Sequence, residues 1–177
     1  IENLKKQSFS DKEFSQLKRE LCKKHQFKKP PTNFEILLHA KEKDLKKIKN
    51  KLMTKPVRSI SGVAPIAIMT KPIKCPHGKC LMCPGGPASF FGNVPQSYTG
   101  KEPATLRGLR NNFDPYLQVF NRLEQYIVLG HPTNKIELII MGGTFPAAPP
   151  EYQYQFIKGC LDAMNGRDSS TLEEAKE

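Results

Sequence analysis

Three cysteines stand within nine residues, in the run CPHGKCLMCPGG at 75–86. No other feature of the chain restricts its fold and chemistry as tightly. Cys75, Cys80 and Cys83 are separated by four and then two residues, and Gly85 and Gly86 follow. Soft thiolates at this spacing admit three readings. They can ligate three irons of a [4Fe–4S] cluster and leave the fourth iron open to an outside ligand. With a fourth donor, for which His77 is the nearest, they can hold structural zinc. Cys80 and Cys83 can instead act as a redox or nucleophilic pair. Position favours the first reading. The run follows an apolar stretch of strand length, and ligand sites in α/β sheets lie beyond the carboxyl ends of strands. The two glycines let backbone approach a cofactor closely, and serve equally as turn residues.

The apolar stretch is VAPIAIMT at 63–70. With so little alternation it reads as a strand covered on both faces. Pro65 favours an edge, or the first residues of the strand. Residues 71–102 are rich in Pro and Gly and lack apolar periodicity, which predicts a long, irregular and functional loop. Asp114 as N-cap and Pro115 at the first helical position open a helix. Tyr116, Leu117, Phe120, Leu123 and Ile127 are its expected inward stripe. Gly130 is its expected C′ residue, and His131–Pro132 ends it. A second strand, KIELIIM at 135–141, leads directly into Gly142–Gly143–Thr144. A last helix is expected over about 150–165, closed by Gly166, with no strong element in the tail DSSTLEEAKE. This is a βαβα order, which predicts parallel strands and right-handed crossovers. Two strands cannot close a barrel, so the expected sheet either continues beyond these residues or is incomplete. Gly142 and Gly143 leave main-chain groups open to a small polar ligand at the same sheet end as the cysteines.

Charge separates the chain into two regions. Residues 1–58 hold 17 Lys and Arg against 7 Asp and Glu, a net +10; residues 59–177 hold 11 against 10, a net +1. The first region reads as short basic helices. Ser10 with Glu13 and Thr32 with Glu35 both have capping-box spacing. Phe14, Leu17 and Leu21 form one apolar stripe, and Phe34, Leu37 and Leu38 the next. A third helix around 42–52 turns Leu45, Ile48 and Leu52 inward. Lys43, Lys46, Lys47 and Lys49 then make a candidate polyanion surface, with nucleic acid ahead of an anionic membrane. The competing reading is a solvated lysine-rich face. There is no apolar run of about eighteen residues and no signal segment, so no membrane span is expected. The clustered cysteines fit a reducing compartment, hence a cytoplasmic protein, with Cys22 and Cys160 as plain buried thiols. Lys79 could balance cluster charge, and Tyr98, Lys101 and Glu102 could line a mouth; Arg107, Arg110 and Arg122 read as solvated or salt-bridged.

Four blocks together, CPHGKCLMCPGG, PQSYTGKEPATLR, NNFDPYLQVFNRL and GHPTNKIELIIMGGTF, resemble the catalytic subunit of Elongator in its archaeal form. The cysteine loop alone would indicate only the radical S-adenosylmethionine superfamily. The resemblance implies a basic N-terminal tRNA-binding region over 1–58. It also implies the first βαβα part of a partial barrel over 59–177. The rest of the barrel and a C-terminal acetyltransferase domain are absent from this chain, which is expected to be a fragment. It further implies that Cys75, Cys80 and Cys83 bind the [4Fe–4S] cluster, with S-adenosylmethionine on the remaining iron. Gly142, Gly143 and Thr144 match the segment that holds the methionine amino group. Many superfamily members have an acidic residue where Thr144 stands, whereas the Elongator-type family reads similarly to this chain.

The implied reaction forms 5-carboxymethyluridine at uridine 34 of tRNA. Reductive cleavage of S-adenosylmethionine would give a 5′-deoxyadenosyl radical. That radical would abstract hydrogen from the acetyl group of acetyl-CoA, and the resulting carbon radical would add at uridine C5, with thioester hydrolysis to follow. An anticodon loop is single-stranded, which makes the base cheap to reach. Expected partners are tRNA and the remaining segment of the same protein, with self-association left open. The alternatives are a tRNA-binding module with a structural metal, a protein (histone) acetyltransferase component, and a radical enzyme acting on another RNA base.

Overall fold

The computed structural model describes residues 1, 4, 9–53 and 56–177. The chain divides into two compact units, one of Ile1–Ala64 with Gln125–Lys135, the other of Pro65–Glu124 with Ile136–Glu177.

Among the described residues, the first unit contains α1 (Asp11–Lys24), α2 (Asn33–Leu38) and α3 (Glu42–Leu52). Both capping boxes form. The Glu13 N–H donates to Ser10 Oγ at 3.3 Å, and the Ser10 N–H to the Glu13 carboxylate at 2.8 Å. Thr32 and Glu35 repeat the exchange at 3.2 and 2.6 Å. Each box satisfies main-chain donors that a helix start leaves open. Leu4, Leu37, Ile48 and Leu52 form a buried cluster, with Phe14, Ile36, Leu45, Val128 and Leu129 packed against it. Ile36 takes the inward place expected of Leu38, which is exposed, because a six-residue helix turns only a narrow face to the core. Phe14, Leu17 and Leu21 are not sealed in the core; with Cys22, Phe27 and Ile36 they line an apolar cleft of about 720 Å³. Near the end of this unit, Ser59 Oγ and His131 Nδ1 form a buried 2.6 Å hydrogen bond, and Tyr126 meets the His131 ring edge-on.

Among the described residues, the sheet has two strands, β1 (Ala64–Met69) and β2 (Ile136–Met141). The Ala64 N–H donates to Lys135 O and the Thr70 N–H to Met141 O, so six residues along one strand match six along the other. The pairing is therefore parallel. This register turns the main-chain groups of residues 64, 66, 68 and 70 towards β2 and those of 65, 67 and 69 to the opposite edge. That outer edge is blunted three times: Pro65 has no N–H, Arg107 donates to Ala67 O at 3.2 Å, and the Gln118 amide engages Met69. Gln118 accepts from the Met69 N–H and donates to Met69 O, both at 2.9 Å, as a neighbouring strand would. β1 is a terminal strand, and sheet growth is left to β2, where Glu137 and Ile139 are exposed.

Three findings in the second unit depart from the sequence expectations. An additional helix, α4 (Pro103–Arg110), closes the long loop. The helix from Pro115, α5 (Pro115–Leu129), buries Gln118, Val119 and Leu123, while Leu117, Phe120 and Ile127 are 45–54% exposed. Leu123 faces inward as expected, whereas Gln118, Val119 and Tyr126 take the buried places expected of Leu117, Phe120 and Ile127, because a buried glutamine is invisible to a hydrophobic count. Lastly, the tail forms a short helix, α7 (Leu172–Lys176), that buries Ala175; the Thr171 side chain caps it. Asp162 accepts from both Ser169 N–H and Ser169 Oγ, and ties this tail to α6 (Pro150–Asn165).

Other expectations hold. Asp114 caps α5 by accepting from the Leu117 N–H at 2.8 Å. The same helix ends in a Schellman arrangement, with the His131 N–H on Tyr126 O and the Gly130 N–H on Ile127 O. Gly166, at φ 68°, closes α6.

Candidate metal and cofactor site

The loop after β1 and the turn after β2 leave the same end of the parallel sheet, and the structure brings them into contact. Thr144 Oγ1 lies 3.3 Å from Cys75 Sγ. Gly142 stands at φ 116°, where an added Cβ would strike Thr70 Oγ1, so only glycine fits this turn. Gly143, at φ 52°, faces Cys75 Sγ: a Cβ built there would lie 3.7 Å from the sulfur. The Thr70 hydroxyl donates to Gly142 O at 3.3 Å and fastens the turn to the end of β1.

The three thiols are free but differ in setting. Cys83 is buried, Cys75 half-buried and Cys80 exposed. The Ser97 N–H donates to Cys83 Sγ at 3.1 Å, and the Cys83 thiol lies 3.0 Å from Gly85 O. His77 Nε2 is 3.1 Å from Cys80 Sγ. Among the described residues, no group of three or more His, Cys, Asp or Glu side chains is gathered closely enough to hold one metal ion. A shared metal therefore requires the loop to close further. The donor set suits an iron–sulfur cluster: three soft thiols free of disulfides on one loop, with Cys75 held by the Gln96 and Thr144 side chains and Cys83 by main-chain groups of Gly85 and Ser97. A small cavity of about 230 Å³ adjoins them, lined by Lys74, Cys75, Lys79, Gly85, Gly86 and Gln96 among others. Gly85 is obligatory here, because a Cβ would collide with the Tyr98 carbonyl.

Gln96 was not singled out by sequence, yet it is central to the loop. It is 6% exposed. Its side chain accepts from the Cys75 N–H and donates to Gly78 O, each at 2.9 Å, while its own carbonyl accepts from the Gly143 N–H at 3.2 Å. A glutamine in a Pro- and Gly-rich stretch carries no local signal of this; only its burial reveals it. Glu102 has a different role from the one expected. Its carboxylate accepts from the Thr99 and Gly100 N–H groups and from the Thr99 and Thr105 hydroxyls, and so secures the start of α4. Partial burial pushes this carboxyl up, but those hydrogen bonds outweigh it and hold it at about 2. Lys79 and Lys101 are exposed.

In the first unit, Lys43, Lys46 and Lys47 are exposed on α3. At 100° per residue they share one face. Lys49 stands apart from them, half-buried, with its stem against Gly130. Among the described residues, no helix is long and apolar enough to cross a membrane.

Residues 1–60 match the model of the ELP3 N-terminal domain. A tRNA uridine(34) acetyltransferase from Methanocaldococcus jannaschii is 59% identical over 173 residues, which cover 97% of this chain and 32% of the relative. Residues 1–60 thus belong to the ELP3 N-terminal domain family. A second archaeal relative, the tRNA uridine(34) acetyltransferase of Methanocaldococcus infernus, is 62% identical over 82% of this chain and 27% of its own length. The Elongator complex protein 3 of Bos taurus is 41% identical over 93% of this chain and 31% of its own. The chain thus spans about a third of the length of these curated relatives. A solved structure of N-terminally truncated Elp3 from Methanocaldococcus infernus aligns with a TM-score of 0.44 at 46% identity, covering 65% of this chain and 19% of that one.

Proposed function

We propose that this chain supplies the tRNA-docking and cofactor-binding parts of an enzyme that modifies uridine 34 of tRNA, forming 5-carboxymethyluridine from acetyl-CoA by radical S-adenosylmethionine chemistry. The observation that carries the reading is the meeting of the three-cysteine loop with the Gly142–Thr144 turn at one end of a parallel sheet. Relatives named for tRNA uridine 34 support the substrate. Cys75, Cys80 and Cys83 would hold a [4Fe–4S] cluster, and Gly142, Gly143 and Thr144 would receive the methionine end of S-adenosylmethionine. Such a cluster supplies one-electron reduction of the sulfonium when bound.

The chain's own groups orient and shield. The Gly142–Thr144 turn would receive a small zwitterion, in a shape fixed by the Thr70 hydroxyl on Gly142 O and by the Gly143 N–H on Gln96 O. Gln96 and Ser97 fix two of the cysteines. Lys43, Lys46 and Lys47 would meet tRNA phosphates from a unit whose sequence carries most of the chain's positive charge, with Lys49 set apart from them against Gly130. A structural zinc site is the second reading, favoured by the His77–Cys80 contact.

The test is anaerobic reconstitution of the complete parent protein, then reduction with S-adenosylmethionine in the presence and absence of tRNA and acetyl-CoA. Production of 5′-deoxyadenosine that requires all three cysteines is expected. A fully iron-loaded protein that produces none would refute the reading.

A further inference from the structure

We infer that Gln96 is a positioning residue that holds Cys75, the Cys75–Gly78 turn and the Gly142–Gly143 turn in one frame, and that Ser97 extends this frame to Cys83. The inference rests on the reading of the cysteines as cluster ligands. It concerns how this chain prepares its loop before any metal arrives.

A buried amide needs partners for both its oxygen and its nitrogen. Gln96 finds them at the two ends of one turn, because the Gly78 N–H itself donates to Cys75 O at 3.1 Å. The side chain therefore clamps a turn that is already closed by its own backbone, and fixes the direction in which Cys75 leaves it. Through its main-chain carbonyl the same residue reaches Gly143, 47 positions along the chain. One side chain and its backbone thus connect the two segments that would face each other across a cofactor.

Ser97 adds a second observation. Its φ is 75°, a left-handed conformation uncommon for a residue other than glycine. That conformation accompanies an N–H aimed at Cys83 Sγ at 3.1 Å. Strained residues of this kind concentrate where geometry serves a site. A donor on a ligating sulfur also tunes the potential of the metal it holds. Cys80, by contrast, is exposed, and its sulfur lies beside His77 of its own loop. Two cysteines are set in advance, and one is free to close.

The test uses the complete parent protein without metal and follows iodoacetamide alkylation of each cysteine by peptide mass spectrometry. Cys80 is the fast reference. Cys22 and Cys160 report global unfolding; Cys160 is buried, which with nearby Asp114 pushes its thiol up to about 12. Gln96→Met keeps the length of the side chain and loses both hydrogen bonds. Cys75 should then react on the order of tenfold faster, while Cys80, Cys22 and Cys160 keep their rates. Gln96→Glu keeps the acceptor for the Cys75 N–H, loses the donor to Gly78 O, and should fall between. Unchanged Cys75 rates in both variants would overturn the inference. Should Gln96→Met expose Cys22 or Cys160, the Gln96→Glu comparison decides. Iron and sulfide uptake by the wild-type protein separates the two claims: no uptake would refute the cluster reading and leave the alkylation result standing.

Discussion

The helices of the basic unit and the loop of the cysteine unit are ordered by different means. Helices α1 and α2 start with side chains three residues from the groups they cap, Ser10 with Glu13 and Thr32 with Glu35. The cysteine loop has no regular element of its own. It is tied at distances of 14 to 69 residues: Ser97 to Cys83, Gln96 to Cys75 and Thr144 to Cys75. A locally capped helix tolerates the loss of one cap. A loop held by a few buried polar side chains loses its arrangement when one of them goes. This difference suits the proposed roles, since a lysine-bearing surface works through charge, while a ligand set works through position.

The sharpest break in the comparison comes from the cysteines. Cys80→Ala or Cys83→Ala in the complete protein should remove nearly all reconstituted iron and sulfide, whereas Cys22→Ala should leave both unchanged; metal and sulfide analysis decides. Next is Gly85→Ala. Its Cβ would strike the Tyr98 carbonyl, so the backbone must shift, at a cost of about 3 kcal/mol in urea unfolding.

Neutralising Lys43, Lys46 and Lys47 together should flatten the slope of log affinity for tRNA against log salt by roughly 2 to 3 units. Lys49→Gln should change that slope less, as Lys49 already packs against Gly130. Ser10→Ala and Thr32→Ala should each cost about 1 kcal/mol. The two losses should add, because the caps open separate helices.

The smallest effect concerns acid. Glu102 is held down to about 2, below its ordinary 4.5, by the hydrogen bonds it accepts. Its contribution to loop stability is therefore complete above about pH 4.5 and disappears as pH falls through about 2. Carboxyl NMR titration should show that depressed value, and Glu102→Gln should remove this part of the acid dependence.

Legibility in the sequence follows the same division. Both capping boxes, the Asp114 cap, the Gly130 and Gly166 terminators and the two strands are set by neighbours, so short-range pattern reveals them. The parallel pairing follows from the βαβα order. Part of the buried face of α5 was missed because Gln118 occupies an inward position to engage Met69, a demand of the strand edge and not of the helix. Pro65, which favours an edge or the first residues of a strand, lies on that same edge. The cysteines and Gly142–Gly143 were visible as residue types. Gln96 and Ser97 were not, because their partners are set by the fold and not by nearby sequence. Glu102 read as a mouth-lining acid and proved to be a helix anchor, a role that depends on how Thr99 and Gly100 turn back on it.

The central claim is that Cys75, Cys80 and Cys83 form one iron–sulfur ligand set. The most direct measurement is anaerobic reconstitution of the complete parent protein with iron and sulfide, followed by metal and acid-labile sulfide analysis and low-temperature EPR of the reduced sample. The account predicts about four irons and four sulfides per chain, with a reduced-cluster signal that is lost on replacement of any of the three cysteines. Stoichiometric zinc without labile sulfide, bound through the same loop, would contradict it.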